Sequence, residues 1–206
     1  MNLSILYLLS IGFITGLSGA MIPGPLLAFT IADSIKKGSK AGFIIILGHA
    51  LVEIFIIAFL FIGLGKFIGY IETPVYLLGG AFLILMSFSM LKDRDKKIDI
   101  ENNFTQGSFL GGVSFTLFNP GVPLWWATIG YALLLQGLNV LGSLGVALVT
   151  IGHWFADFGY YCSVSYLVAK GKKILTKRYK LVIIILAGFL LILGIHFLTK
   201  ALVRIL

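Results

Sequence analysis

Charge is scarce in this chain. Asp, Glu, Lys and Arg make up 12% of the 206 residues against 59% apolar ones, and the mean hydropathy is +1.04. So little polar surface cannot clothe a soluble fold of this length, and the composition is that of a polytopic helical membrane protein. Cysteine occurs once, at Cys162, which excludes an intramolecular disulfide and a CxxC redox pair; it reads as a small apolar filler in a helix. The GxxxxGK[ST], GxSxG and HExxH patterns are all missing, so an ATP-driven pump subunit or a hydrolase has no support and the chain is read as a non-enzyme. The N-terminus lacks a basic n-region and a clear small-residue cleavage site, and its apolar run is read as a retained membrane helix. Acids are rarer than bases, eight against sixteen, for a net charge of +8. That surplus does not point to nucleic acid, because the basic residues sit in short loops between apolar runs, where topology signals belong.

Against this background six apolar stretches of bilayer-crossing length can be placed: 3–35, 41–64, 74–91, 108–136, 141–169 and 181–202. Prolines cut the first and the fourth. Ile22-Pro23-Gly24-Pro25 interrupts one, Asn119-Pro120-Gly121-Val122-Pro123 the other, and two prolines flanking a glycine open a helix into two half-helices. The freed backbone must be satisfied by protein or by cavity water, since lipid cannot do so.

The second half of the chain echoes the first. Pro23 matches Pro120, Gly38-Ser39 matches Gly142-Ser143, His49 matches His153, Glu53 matches Asp157, Gly80 matches Gly188 and Lys92 matches Lys200, with an offset that grows from 97 through 104 to 108. The expected fold is therefore all-α, with six transmembrane helices arranged as two three-helix repeats, 1–91 and 108–206, joined by a hydrophilic cytoplasmic linker, 92–107. An odd number of spans per repeat inverts one half relative to the other, the plan of many secondary transporters, which place substrate near the midplane at discontinuous helices. Thirteen Lys and Arg fall in the loops after spans one, three and five: Lys36, Lys37 and Lys40; Lys92, Arg94, Lys96 and Lys97; Lys170, Lys172, Lys173, Lys177, Arg178 and Lys180. The other side holds Lys66, Lys200 and Arg204. This asymmetry places the basic loops in the cytoplasm and both termini outside.

Two pairs of ionisable residues stand inside the apolar spans. His49 and Glu53, like His153 and Asp157, are four residues apart and share a helix face. Ionisable groups at membrane depth face the bundle interior and mark substrate, ion or proton pathways. The two pairs read best as separate hydrogen-bonded pairs lining a path; a single four-ligand centre for a divalent metal is the alternative, since nitrogen and oxygen donors without nearby cysteine suit a first-row ion. The half-helices expected to start at Pro25 and Pro123 would turn free amides and a positive dipole end toward an anionic group. Trp125, Trp126 and Tyr131 could line a cavity or cradle a cation but read first as packing or interface residues, Asp33 reads as a solvated partner of Lys36 or Lys37, and His196 as structural.

Ile22-Pro23-Gly24-Pro25, then Ser34-Ile35-Lys36-Lys37-Gly38 and Ala41-Gly42, then Leu47-Gly48 with Glu53, and Leu117-Phe118-Asn119-Pro120 in the second half, together resemble the lysine exporter (LysE) family of six-helix translocators. The resemblance covers essentially the whole chain. It implies export of amino acids, usually by exchange with an ion gradient, and places Glu53 where relatives commonly carry an acid. The chain departs from relatives at Leu26, where an acid often follows Pro-Gly-Pro, and at His49 and His153.

These readings converge on a multi-pass cell-membrane transporter that exports an amino acid or similar small zwitterion, with H⁺ or Na⁺ as coupling ion and no cofactor. Its expected substrate site comprises Pro23, Gly24, Pro25, His49, Glu53, Asn119, Pro120, Gly121, Pro123, His153 and Asp157. Expected partners are the small-molecule substrate, the lipid bilayer and a second copy of the chain. A divalent-metal transporter using the four His and acid residues is one alternative, and a membrane scaffold or sensor without flux is another.

Overall fold

The computed structural model describes residues 2–62, 68–94 and 104–205, and every regular element among them is helical. In chain order these are α1 (Asn2–Ala20), α2 (Pro25–Lys37), α3 (Lys40–Phe61), α4 (Ile68–Asp93), α5 (Phe104–Leu117), α6 (Gly121–Trp125), a π-type turn (Trp126–Gly130), α7 (Tyr131–Lys170), α8 (Lys172–Lys177) and α9 (Tyr179–Ile205). Four stretches are long and apolar enough to cross a bilayer: Leu3–Ala20, Lys40–Phe61, Gly121–Lys170 and Lys180–Arg204. Their outer faces are apolar as well, with Leu3 84%, Phe55 67% and Ile192 69% exposed, a surface that water would penalise and hydrocarbon accepts. The chain is a membrane protein.

The chain leaves helical structure after Ala20 and re-enters at Pro25, and does so again between Leu117 and Gly121. The first re-entry is where the sequence predicts it, with Gly24 extended at the N-cap and Pro25 in the first turn. The second comes two residues before Pro123, because Asn119 bends back: its Oδ1 accepts the Gly121 amide at 3.0 Å and its carbonyl the Val122 amide at 3.1 Å. α7 is not one straight rod. Leu141 and Gly142 leave helical geometry, Gly142 at φ 58°, and Gly137 and Gly145 meet backbone to backbone. Eight residues of straight helix would hold them about 12 Å apart, so the chain reverses there into a tight hairpin. This reversal is the loop expected between the fourth and fifth spans.

Lys66, Lys96 and Lys97 lie outside the described residues, as does most of the linker; α5 already begins at Phe104. Asp33 is not solvated. It is 6% exposed, paired with Lys37 Nζ at 2.9 Å, and accepts a hydrogen bond from Ser108 Oγ at 2.6 Å, tying α2 to α5. Nearby, Ser165 of α7 shares a 2.8 Å hydrogen bond with Ser34 and accepts the Gly42 amide at 3.0 Å, which fastens the α2–α3 turn.

Glycines set how closely the remaining helices cross. A Cβ at Gly12 would strike the Val149 carbonyl and one at Gly152 the Leu9 carbonyl, so α1 lies directly on α7. In the same way Gly112 meets the Ile45 carbonyl and Gly48 the Phe109 carbonyl, so α5 lies on α3. α4 and α9 pack on each other, with Gly80 against Gly194 and Ser87 donating to the Ala187 carbonyl at 2.8 Å. Leu83 and Leu190 of that pair join Leu26, Ala28, Ala41, Ile45 and Phe115 in the largest apolar core.

Candidate functional site

The crossings bring the two His and acid pairs face to face. His49 and Glu53 sit on α3, His153 and Asp157 on α7, and all four are buried. Glu53 Oε1 lies 3.2 Å from both His49 Nε2 and His153 Nε2, while Asp157 Oδ2 lies 3.1 Å from His153 Nε2 and 3.7 Å from His49 Nε2. The expectation of two separate pairs is therefore corrected: the four side chains form one cluster, because the close approach of α3 and α7 makes the cross-pair contacts as short as those along each helix.

Two indoles complete the first acid. Trp126 Nε1 donates to Glu53 Oε1 at 2.7 Å and Trp154 Nε1 to Oε2 at 3.0 Å. Trp126 is wholly buried, and it is placed by the π-type turn, in which Gly130 leaves room for the indole ring. Trp125 and Trp126 both set their rings 4.9 Å from the His153 ring. The packing role expected for Trp125 and Trp126 is thus only part of their contribution, and Trp154 is a site residue that sequence reasoning missed. Tyr131, 40% exposed, stays outside the cluster.

The hydroxyl of Thr116 fixes one histidine. Thr116 Oγ1 donates to the Gly112 carbonyl at 2.6 Å, so its 2.8 Å contact with His49 must be accepted from an Nδ1–H. His49 Nε2 then faces carboxylate oxygens, and a proton must lie between nitrogen and oxygen, since two lone pairs would otherwise meet at 3.2 Å.

A cavity of about 370 Å³ opens onto this cluster. Its wall takes in Pro23, Gly24 and Pro25 from the first break, Asn119 and Gly121 from the second, and His49, Glu53, His153 and Asp157. Two expected site residues are elsewhere. Pro120 is buried against Gly79, and Pro123 lines a separate apolar pocket with Leu51, Phe55 and Leu117. His196, expected to be structural, borders the cavity together with Tyr161 and Phe197.

Among the described residues three buried polar side-chain atoms make no hydrogen bond: Trp125 Nε1, His153 Nδ1 and Asp157 Oδ2, the last of which is in ion-pair range of the two imidazoles. All three residues line this cavity. The open end of α2 adds further donors. No side chain caps it, and Pro25 and Leu26 face the cavity, whereas the amides of Gly121 and Val122 at the second break are taken by Asn119.

A model of the LysE type translocator family matches residues 17–201, from the end of α1 to the end of α9. The chain belongs to the LysE type translocator family. Its members are transporters and not enzymes. No curated protein matches the chain. No solved structure matches it either.

Proposed function

We propose that this LysE type translocator exports an amino acid or similar small zwitterion in exchange for protons. The observation that carries the reading is the set of polar atoms without a hydrogen bond on one cavity wall: a donor, Trp125 Nε1, beside the open amide end of α2, and an acceptor, Asp157 Oδ2. Buried polar atoms are costly unless a partner arrives, and a zwitterion brings one of each kind. The carboxylate lies against the α2 amides and Trp125, which sits over Gly19 at the end of α1, and the ammonium lies against Asp157. The second half-helix takes no part in this, because Asn119 has already claimed its amides.

Alternating access rests on the inverted repeat, and the helix crossings support that arrangement. Gly12 on Val149 and Gly112 on Ile45 are equivalent contacts, as are Gly152 on Leu9 and Gly48 on Phe109, with offsets of 100 from α1 to α5 and 104 from α3 to α7. Gly38 and Gly142, matched in sequence, are the two glycines with positive φ among the described residues, at 83° and 58°. Two halves built alike and inverted give two similar arrangements open to opposite sides. The basic loops face the cytoplasm in this reading and both termini face outward.

A divalent metal as cargo is the weaker reading. Both Glu53 oxygens already accept indole N–H bonds, and a cation at Oε1 would have to displace Trp126 and two imidazoles. A scaffold without flux does not need a cavity reaching the polar cluster.

Uptake of a panel of labelled amino acids into inverted vesicles, with and without an imposed pH gradient, tests the proposal. Gradient-dependent accumulation of at least one of them is expected. No such flux for any member of the panel would sink it, and quenching of Trp154 fluorescence by micromolar divalent ion that His49→Ala abolishes would favour metal instead.

A further inference from the structure

The duplication has not kept its two halves equal, and several of the differences fall on the polar cluster. Thr116, which holds His49 Nδ1, stands opposite Gly16 in the first repeat, at the same offset of 100 that relates α1 to α5, and Gly16 packs on His153 and gives its Nδ1 nothing. Trp126 corresponds to Phe29, at the offset of 97 that relates Pro23 to Pro120, and Trp154 to Ala50, neither of which carries a donor. As a result Glu53 accepts two indole N–H bonds and the His153 Nε2–H, at 2.7, 3.0 and 3.2 Å, while Asp157 Oδ2 accepts no indole and has only imidazole nitrogens beside it, His153 Nε2 at 3.1 Å and His49 Nε2 at 3.7 Å. An indole nitrogen can only donate, so two donors on Oε1 and one on Oε2 hold Glu53 as a hydrogen-bonded anion, and a proton there would compete with them. Asp157 Oδ2 carries no indole donor.

We propose that the two acids of the cluster have separate tasks: Glu53 is a fixed anion that anchors both histidines, and Asp157 is the acid that takes up and releases the transported proton. This rests on the proton-exchange reading above. On loading, a proton leaves cavity water and bonds to Asp157 Oδ2; on unloading it leaves Oδ2 and returns to water on the other side. The groups facing Asp157 are few. His49 and Glu53 approach from α3, His153 and Tyr161 belong to α7, and His196 borders the cavity from α9; α1, α2, α5 and α6 bring no charged side chain to the cavity wall. The same Oδ2 serves the substrate ammonium, so proton and substrate exclude one another there, which is the condition for exchange as opposed to co-transport.

Infrared difference spectroscopy of the protein in liposomes, titrated with acid alone, reads this without any substrate. On acidification the C=O stretch of a protonated carboxyl shielded from bulk water is expected; it disappears in Asp157→Asn and persists in Glu53→Gln. Trp154→Phe, which frees Glu53 Oε2, is expected to add a second such band, and it keeps the test open if Glu53→Gln fails to fold. A band that survives Asp157→Asn but is lost in Glu53→Gln overturns the assignment, as does its absence from the wild-type protein. The expected bands without amino-acid flux would remove the transport reading and leave this division of roles standing; flux with the wrong bands would do the reverse.

Discussion

Thr116 shows how one hydroxyl fixes the state of a membrane-buried histidine. Its proton is committed to the Gly112 carbonyl, and His49 Nδ1–H is committed to it in turn. In Thr116→Val, of nearly the same shape, that N–H is left buried without a partner. The expected cost is about 1–3 kcal/mol, seen as a lower melting temperature in detergent, whereas Thr128→Val, at an exposed hydroxyl that bonds only within its own helix turn, is expected to be near neutral. The four ionisable members of the cluster were legible in the sequence, because a His and an acid four residues apart inside an apolar span are too costly at that depth unless they turn inward to a polar site. Their hydrogen-bond partners were not. Trp126 and Trp154 reach Glu53 from 73 and 101 residues away, and a tryptophan in an apolar stretch looks the same whether its nitrogen meets lipid headgroups or a carboxylate.

Among the elements, the helix crossings depend on glycines that allow backbone to touch backbone. Gly12→Ala, Gly48→Ala, Gly112→Ala and Gly152→Ala each force a methyl group into a neighbouring carbonyl and are expected to destabilise by about 1–3 kcal/mol. Gly159→Ala and Gly188→Ala face open space and are expected to be neutral or to stabilise by about 0.5–1 kcal/mol, since alanine is the better helix former. Thermal unfolding of the six variants in one detergent separates the two groups. Both helix breaks were legible from their prolines, but the start of α6 was not, since Pro123 is as much at home in the third position of a first turn as in the first. Asn119 decides it by folding its side chain onto the Gly121 amide, a choice that depends on geometry which residue spacing does not carry. Likewise Asp33 reads as a solvated acid beside two lysines, and only the crossing of α2 and α5 shows that Ser108 closes over it.

At the scale of the whole molecule, the distribution of Lys and Arg predicts a topology with both ends outside, and impermeant labelling checks it. In a Cys162→Ser background, Lys200→Cys is expected to react with a membrane-impermeant maleimide added to intact cells, and Lys170→Cys to react only after permeabilisation; both positions are exposed. The proposed repeat rests in the sequence on matched prolines, glycines and His and acid pairs, whereas the contrast between Thr116 and Gly16 carries no signal until His49 and His153 are placed beside them. The central claim is that substrate and protons exchange through the cavity between the helix breaks and the polar cluster. It is tested most directly with a pH-sensitive dye sealed inside proteoliposomes, while a gradient of an amino acid accepted in the uptake panel is imposed across the membrane. The account requires proton movement opposite to the amino acid in the wild-type protein and none in Asp157→Asn; a gradient that moves the amino acid with no proton counterflow, or counterflow that persists in Asp157→Asn, would contradict it.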